Sequence, residues 1–185
     1  MTETPVILTI GHSTHPLADF IQLLQVHAVT RVVDVRTVPR SQRNPQFNKG
    51  RLPYSLNPLG IGYTHLRGLG GLRHPQADSP NTGWRNASFQ GFADYMQTPD
   101  FADNLQTLLE LAQVGRVAVM CAEAVPWRCH RFLIADALVV RGIQVEHILS
   151  AKRTYIHSVT SWAKVDGLQL LYPPETAPTP ETPTK

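Results

Sequence analysis

The chain has only two cysteines, Cys121 and Cys129. Two are too few for a disulfide framework, and in a reducing compartment they read as thiols with packing, metal or catalytic roles. Long apolar runs are also missing. None approaches the roughly 20 residues that span a bilayer, and the opening "MTETPVILTIGHS" has neither a basic region nor a cleavable apolar segment. The expectation is a cytoplasmic protein with no membrane contact. There is no C-x-x-C pair, no Walker or dinucleotide spacing and no internal repeat, so neither a zinc knuckle nor a nucleotide loop is indicated. One stretch, "RTVPRSQRNPQFNKGR", lacks any acid while holding Arg36, Arg40, Arg43, Lys49 and Arg51. Such crowding is costly unless the cations stay solvated or meet an anion.

What is present fits one globular domain. A hydrophobic content of 42% with 17% charged residues over 185 positions supplies a core without staples. Short β-rich runs occur at Val6 to Ile10, Arg31 to Arg36, Gly62 to Leu66, Arg116 to Met120 and Gln144 to Leu149. Between them lie helical patterns. Leu17, Phe20, Ile21 and Leu24 recur at i, i+3, i+4, i+7. Thr98 and Pro99 open a second helix with a buried stripe of Phe101, Leu105, Leu108, Leu109 and Ala112. "PWRCHRFLIADALVVRG" reads as a third, opened by Pro126 and closed by Gly142. Alternating strands and helices predict an α/β fold: a mostly parallel five-stranded sheet flanked by helices, with long loops at its carboxyl edge. The domain is expected over 1–171, and the Pro/Thr-rich stretch 172–185 as a disordered tail.

Ligands of such sheets bind outside the carboxyl ends of the strands. Those ends carry His12 and Ser13, Asp34 and Arg36, His65 and Arg67, then Cys121 and Glu123. Cys121 stands where a strand gives way to a helix N-terminus, and Arg128, His130 and Arg131 would add to the bias toward a thiolate. The other reading is a small buried hydrophobe. The C-x6-R spacing resembles the phosphate-cradling loops of cysteine phosphatases and sulfur transferases, but those are shorter and contain glycines, and "CAEAVPWR" has none. Glu123 is either a general acid or base or the ion-pair partner of Arg128 or Arg131. Cys129 reads as helix packing.

Several motifs together, "TIGHS", "DVR" with "PRS", "YTHLRGLGG", "GFADYM" and "MCAE…P..CHR", resemble the family called domain of unknown function 488 over about Val6 to Leu149. The resemblance implies an α/β domain with signature positions at His12, Asp34, Arg36, Cys121, Glu123, Cys129, His130 and Arg131, and it brings no established reaction. Where that family has a helix before the third strand this chain has "RLPYSLNPLG", whose Pro58 would disturb the helix end.

Three functions are in contention. The first is an enzyme, a hydrolase or transferase, for a phosphate-containing or other anionic substrate, including a nucleotide or nucleic acid. Cys121, Glu123, His12 and Asp34 would act as catalytic groups, and Arg36, Arg40, Arg43, Arg128, His130, Arg131 and His65 would bind substrate; no cofactor and no metal are expected. The second is a nucleic-acid-binding module gripping phosphates through the basic loop. The third is a metal protein using Cys121, Cys129, His130 and His12.

Overall fold

The computed structural model describes residues 4–175. Its elements, in chain order, are β1 (Val6–Gly11), α1 (Leu17–Val26), β2 (Arg31–Asp34), α2 (Leu52–Leu56), β3 (Gly62–His65), α3 (Ala87–Tyr95), α4 (Pro99–Val114), β4 (Val117–Cys121), α5 (Arg131–Val139), β5 (Gln144–Ser150), β6 (Arg153–Ile156), β7 (Lys164–Asp166) and β8 (Gln169–Leu171). The main sheet has six strands in the order β3-β2-β4-β1-β5-β6, one more than expected. The addition is β6, which folds back antiparallel on β5. Strands β7 and β8 form a separate ribbon. The fold is therefore a single α/β domain with a mostly parallel sheet.

The inner strands β1, β2 and β4 are almost wholly buried because helices cover both faces of the sheet there. Ile7, Val33, Val117, Val119 and Val145 pack with α4 and α5 on one side. Leu8, Ile10, Val32, Ala118 and Met120 pack with Phe20 and Leu24 of α1 and Leu52 and Leu56 of α2 on the other. Helix α4 starts as the sequence indicates: the Thr98 hydroxyl accepts from Phe101 N–H and Pro99 follows it. Its stripe is buried at Phe101, Leu105, Leu108 and Ala112, while Leu109 is half-buried. Helix α2 is present and stops at Leu56, two residues before Pro58, and Asn57–Leu59 continue as a single 3-10 turn.

The helix expected from Pro126 is interrupted. Pro126–Arg128 form a 3-10 turn, Cys129 is extended (φ −132°, ψ 146°) and α5 begins only at Arg131. The break has a local cause: Cys129 Sγ is held against Cys121 and the neighbouring His130 ring is fastened to Val35 O. Cys129 thus precedes the helix instead of lying in its first turns. At the other end the packed domain continues past Leu171. Tyr172 is fully buried, and residues 176–185 of the expected tail lie outside the described residues.

Strand order decides where a ligand can enter. From β1 the chain crosses over β4 to reach β2, and from β4 it crosses over β1 to reach β5. Helix α1 therefore lies on one face and α5 on the other, and the neighbouring carboxyl ends of β1 and β4 open at a topological switch point.

Candidate active site

The backbone continues past both strand ends as a paired unit, with His12 N–H donating to Cys121 O and Ser13 N–H to Ala122 O. Gly11 permits this approach: a Cβ there would lie 1.7 Å from Glu123 O. Ser13, beside it, takes a left-handed conformation (φ 44°) that a non-glycine residue rarely adopts. Around these turns is a cavity of about 670 Å³. Among the residues that form its wall are His12, Arg36, Arg40, Cys121, Glu123, Arg128, Cys129 and His130.

Cys121 Sγ is the chemical centre. Cys129 donates its S–H to it at 2.7 Å, and Arg131 Nη1 donates to it as well. Burial pushes the Cys121 thiol up, but the Cys129 hydrogen bond and the Arg131 charge outweigh it and hold the thiol at about 7. Cys129 moves the other way, raised well above the ordinary thiol by burial and by the neighbouring Cys121. Of the two coupled thiols Cys121 is thus the one that ionises first.

Arg131 does not reach the cavity. It is 1% exposed, and besides Cys121 it donates to Glu123 O, Ala124 O and Thr9 Oγ1. Its guanidinium fastens the loop from behind. Every carbonyl from Cys121 to Ala124 is taken on that inner side, by His12 N–H, Ser13 N–H or Arg131. In trans peptides the N–H points opposite to the C=O. The amides of Ala122, Glu123, Ala124 and Val125 are therefore turned away from these partners, and none of them has a backbone acceptor outside the regular elements.

His12 and Arg36 form the opposite wall. Arg36 is paired with the fully buried Asp34 at 2.7 Å and also donates to Phe47 O. Its Nη1 meets His12 Nε2 at 3.2 Å, while His12 Nδ1 lies 2.9 Å from Ser13 O. The pattern assigns the proton to Nδ1 and the lone pair to Nε2. Burial, with the Arg36 charge added, lowers His12 to about 4, so the ring is neutral. Asp34 lies below the wall, where it also accepts from Tyr63 OH. It braces Arg36 and does not face the cavity.

The other expected site residues separate into mouth and periphery. Arg40, Arg128 and Glu123 are exposed and border the opening. No ion pair joins Glu123 to Arg128 or Arg131: among the described residues the arginine–carboxylate pair is Arg36–Asp34, and His157 meets Asp136 as a hydrogen-bonded contact. His130 Nε2 donates to Val35 O, which leaves Nδ1 facing Cys129 Sγ at 3.5 Å. Burial lowers this histidine to about 4 as well. His65 holds Arg36 O from outside the cavity, and Arg43 is exposed on the basic loop. The four residues proposed as metal ligands do not converge as a ligand set. No group of three or more His, Cys, Asp or Glu side chains suited to a metal occurs among the described residues.

Sequence reasoning missed a buried chain behind Arg131. Its Nε donates to Thr9 Oγ1 at 3.2 Å, and Thr9 Oγ1 meets His147 Nδ1 at 2.6 Å. His147 Nε2 meets His157 Nδ1 at 2.9 Å, and His157 Nε2 meets Asp136 Oδ1 at 2.7 Å. Assigned from the carboxylate, each ring donates toward Asp136 and Thr9 donates to His147, a consistent wiring with neutral imidazoles. The one signal in the sequence is Asp136 itself, a carboxylate inside the apolar run "FLIADALVV".

A cysteine at a strand-end turn, lining a cavity and backed by a buried arginine, defines the class as an α/β protein with a candidate cysteine-centred site. The family model for the domain of unknown function DUF488 matches residues 16–138, and the chain belongs to that family. No curated protein and no solved structure matches the chain. No helix among the described residues is long and apolar enough to cross a membrane.

Proposed function

We propose that this protein is an enzyme that transfers or hydrolyses a group of an anionic substrate, with the Cys121 thiolate as nucleophile. The observation that carries this reading is the position of Cys121: it lines the cavity while Arg131 and Cys129 stabilise its charge from behind. The amides of residues 122–125 and the guanidinium groups of Arg36, Arg40 and Arg128 supply positive potential for an anion. Glu123, exposed at the mouth, is the group for proton transfer to the leaving atom, since Asp34 is occupied by Arg36.

Two measurements test it. Alkylation of Cys121 by iodoacetamide should have its midpoint near pH 7, and inorganic phosphate should slow it. With a substrate from an anionic ester panel, Cys121→Ser should abolish turnover and Glu123→Gln should lower it by about 10²–10⁴-fold, both variants remaining folded. Full activity in both would end the assignment.

A second reading, a nucleic-acid module, has one observation in its favour: Arg40, Arg43, Lys49 and Arg51 are all exposed on one acid-free segment. Retention on single-stranded DNA or RNA would then fall steeply with salt, and Arg40→Glu with Arg43→Glu would weaken it alike on every sequence. No retention at low salt removes this reading.

A further inference from the structure

The two thiols meet at 2.7 Å, closer than support of the Cys121 anion by a hydrogen bond requires, and Cys129 itself lines the cavity. Resting on the reading of Cys121 as nucleophile, we propose that this site has a further activity, the two-electron reduction of a small anionic disulfide, with Cys129 as the resolving thiol. In the first step the Cys121 thiolate attacks one sulfur of the substrate. The substrate S–S bond breaks, one half leaves as a thiolate and the other remains as a mixed disulfide on Cys121. In the second step Cys129 Sγ attacks Cys121 Sγ, the mixed disulfide breaks, the second half leaves as a thiolate and a Cys121–Cys129 disulfide forms. The protein dithiol loses two electrons and the substrate gains them. A thiol reductant returns the pair to its starting state.

Four observations support the second step. The sulfurs are already in contact at 2.7 Å, so the attack needs no search. Cys129 also lines the cavity beside Cys121. His130 Nδ1 faces Cys129 Sγ at 3.5 Å while Nε2 is fastened to Val35 O, which fixes the ring beside the thiol, and the departing proton leaves through the cavity to solvent. Gly71 fits this ring closely, since a Cβ there would lie 2.5 Å from His130 Nδ1. The backbone N–H of Arg131 donates to Cys129 Sγ at 3.4 Å and favours its thiolate.

The electrostatics give the order of events. After burial, what holds the Cys129 thiol up is Cys121. Once Cys121 is tied up as a neutral mixed disulfide that opposing charge is gone, and Cys129 becomes easier to ionise. The resolving thiol is thus silent until the first step has occurred. The anionic character of the substrate follows from the mouth, where Arg40 and Arg128 are exposed and carry no ion pair among the described residues.

The test is a single turnover with dithiobis(nitrobenzoate), a dianionic aromatic disulfide, followed by intact mass. The full chain should release both halves of the reagent, retain no adduct and lose two hydrogens. Cys129→Ala, or Cys129→Ser should the alanine variant not fold, should release one half and keep the other as an adduct. The ratio of the full chain's rate with the dianionic reagent to its rate with the dicationic disulfide cystamine should exceed the same ratio for free cysteine by about tenfold at low salt, a comparison that cancels the difference in leaving-thiol acidity. An adduct retained on Cys121 or on both cysteines of the unmodified chain overturns the resolving role while leaving Cys121 as nucleophile. A ratio equal to that of free cysteine overturns the anionic substrate class. Reaction of Cys121 no faster than free cysteine overturns the nucleophile itself.

Discussion

Replacing Asp136 by alanine should lower the unfolding free energy by roughly 3–5 kcal/mol, the usual loss when one member of a buried pair is deleted. The carboxylate is fully buried and accepts four hydrogen bonds: from His157 Nε2 and Thr160 N on Oδ1, and from Thr160 Oγ1 and Tyr172 OH on Oδ2. Alanine leaves all four donors without their acceptor; the buried His157 and Tyr172 groups each cost about 1–3 kcal/mol before relaxation, and the half-buried Thr160 less. These donors come from separate parts of the chain, so Asp136 ties α5 to the segment after β6 and to the end of the described chain. With a total stability of about 5–15 kcal/mol for an ordinary domain, the variant should unfold at much lower urea. Asp136→Asn should lose less, because its amide oxygen still accepts from His157 and the two hydroxyls can turn to accept from its NH₂. A change below about 1 kcal/mol in Asp136→Ala would show that the chain of imidazoles is not structural.

The contrast between this chain and the pocket explains what could be read in the sequence. Residues at strand ends are identifiable once the strands are, and the five apolar runs alternating with helical patterns located them. His12, Arg36, Cys121 and Glu123 could therefore be grouped before the fold was known, although strand order 3-2-4-1-5-6, which sets β1 beside β4, is decided by tertiary packing. Thr9, Asp136, His147 and His157 lie within or just after elements whose neighbours are apolar, and Thr9 and His147 are 138 positions apart. No local pattern encodes such a pairing. The start of α5 illustrates the opposite failure: Pro126 opens a single 3-10 turn, but the contacts of Cys129 and His130 hold Cys129 extended and postpone the helix to Arg131. Strand β6 was missed because it is a short edge strand, with Arg153, Tyr155 and Ile156 exposed, and lacks the buried apolar signature of the parallel strands.

Arg131→Met should move the midpoint of Cys121 alkylation upward by about one to three pH units, the range expected when an opposite charge at hydrogen-bond distance is removed. The sign follows from the forces on the thiol. Burial raises it, and it stays at about 7 because the Cys129 S–H, the Arg131 charge and backbone contact with Glu123 favour the anion. Methionine keeps much of the side-chain volume while removing the charge and the donors, so burial then dominates. Below the new midpoint the thiol is protonated, and the reaction at pH 7 slows. Arg131→Lys separates charge from geometry: an ammonium restores part of the field but cannot hold Glu123 O, Ala124 O, Thr9 Oγ1 and Cys121 together as the guanidinium fork does. Its midpoint should fall between those of the parent and the methionine variant. Raising the salt concentration should leave the parent's midpoint nearly unchanged, because Arg131 and Cys121 are both buried and screening acts mainly on exposed charges. A methionine variant that still reacts with a midpoint near 7 would transfer the stabilising role to Cys129. In that case Cys129→Ala should raise the midpoint instead, because the S–H donor would be the contact that keeps Cys121 ionised.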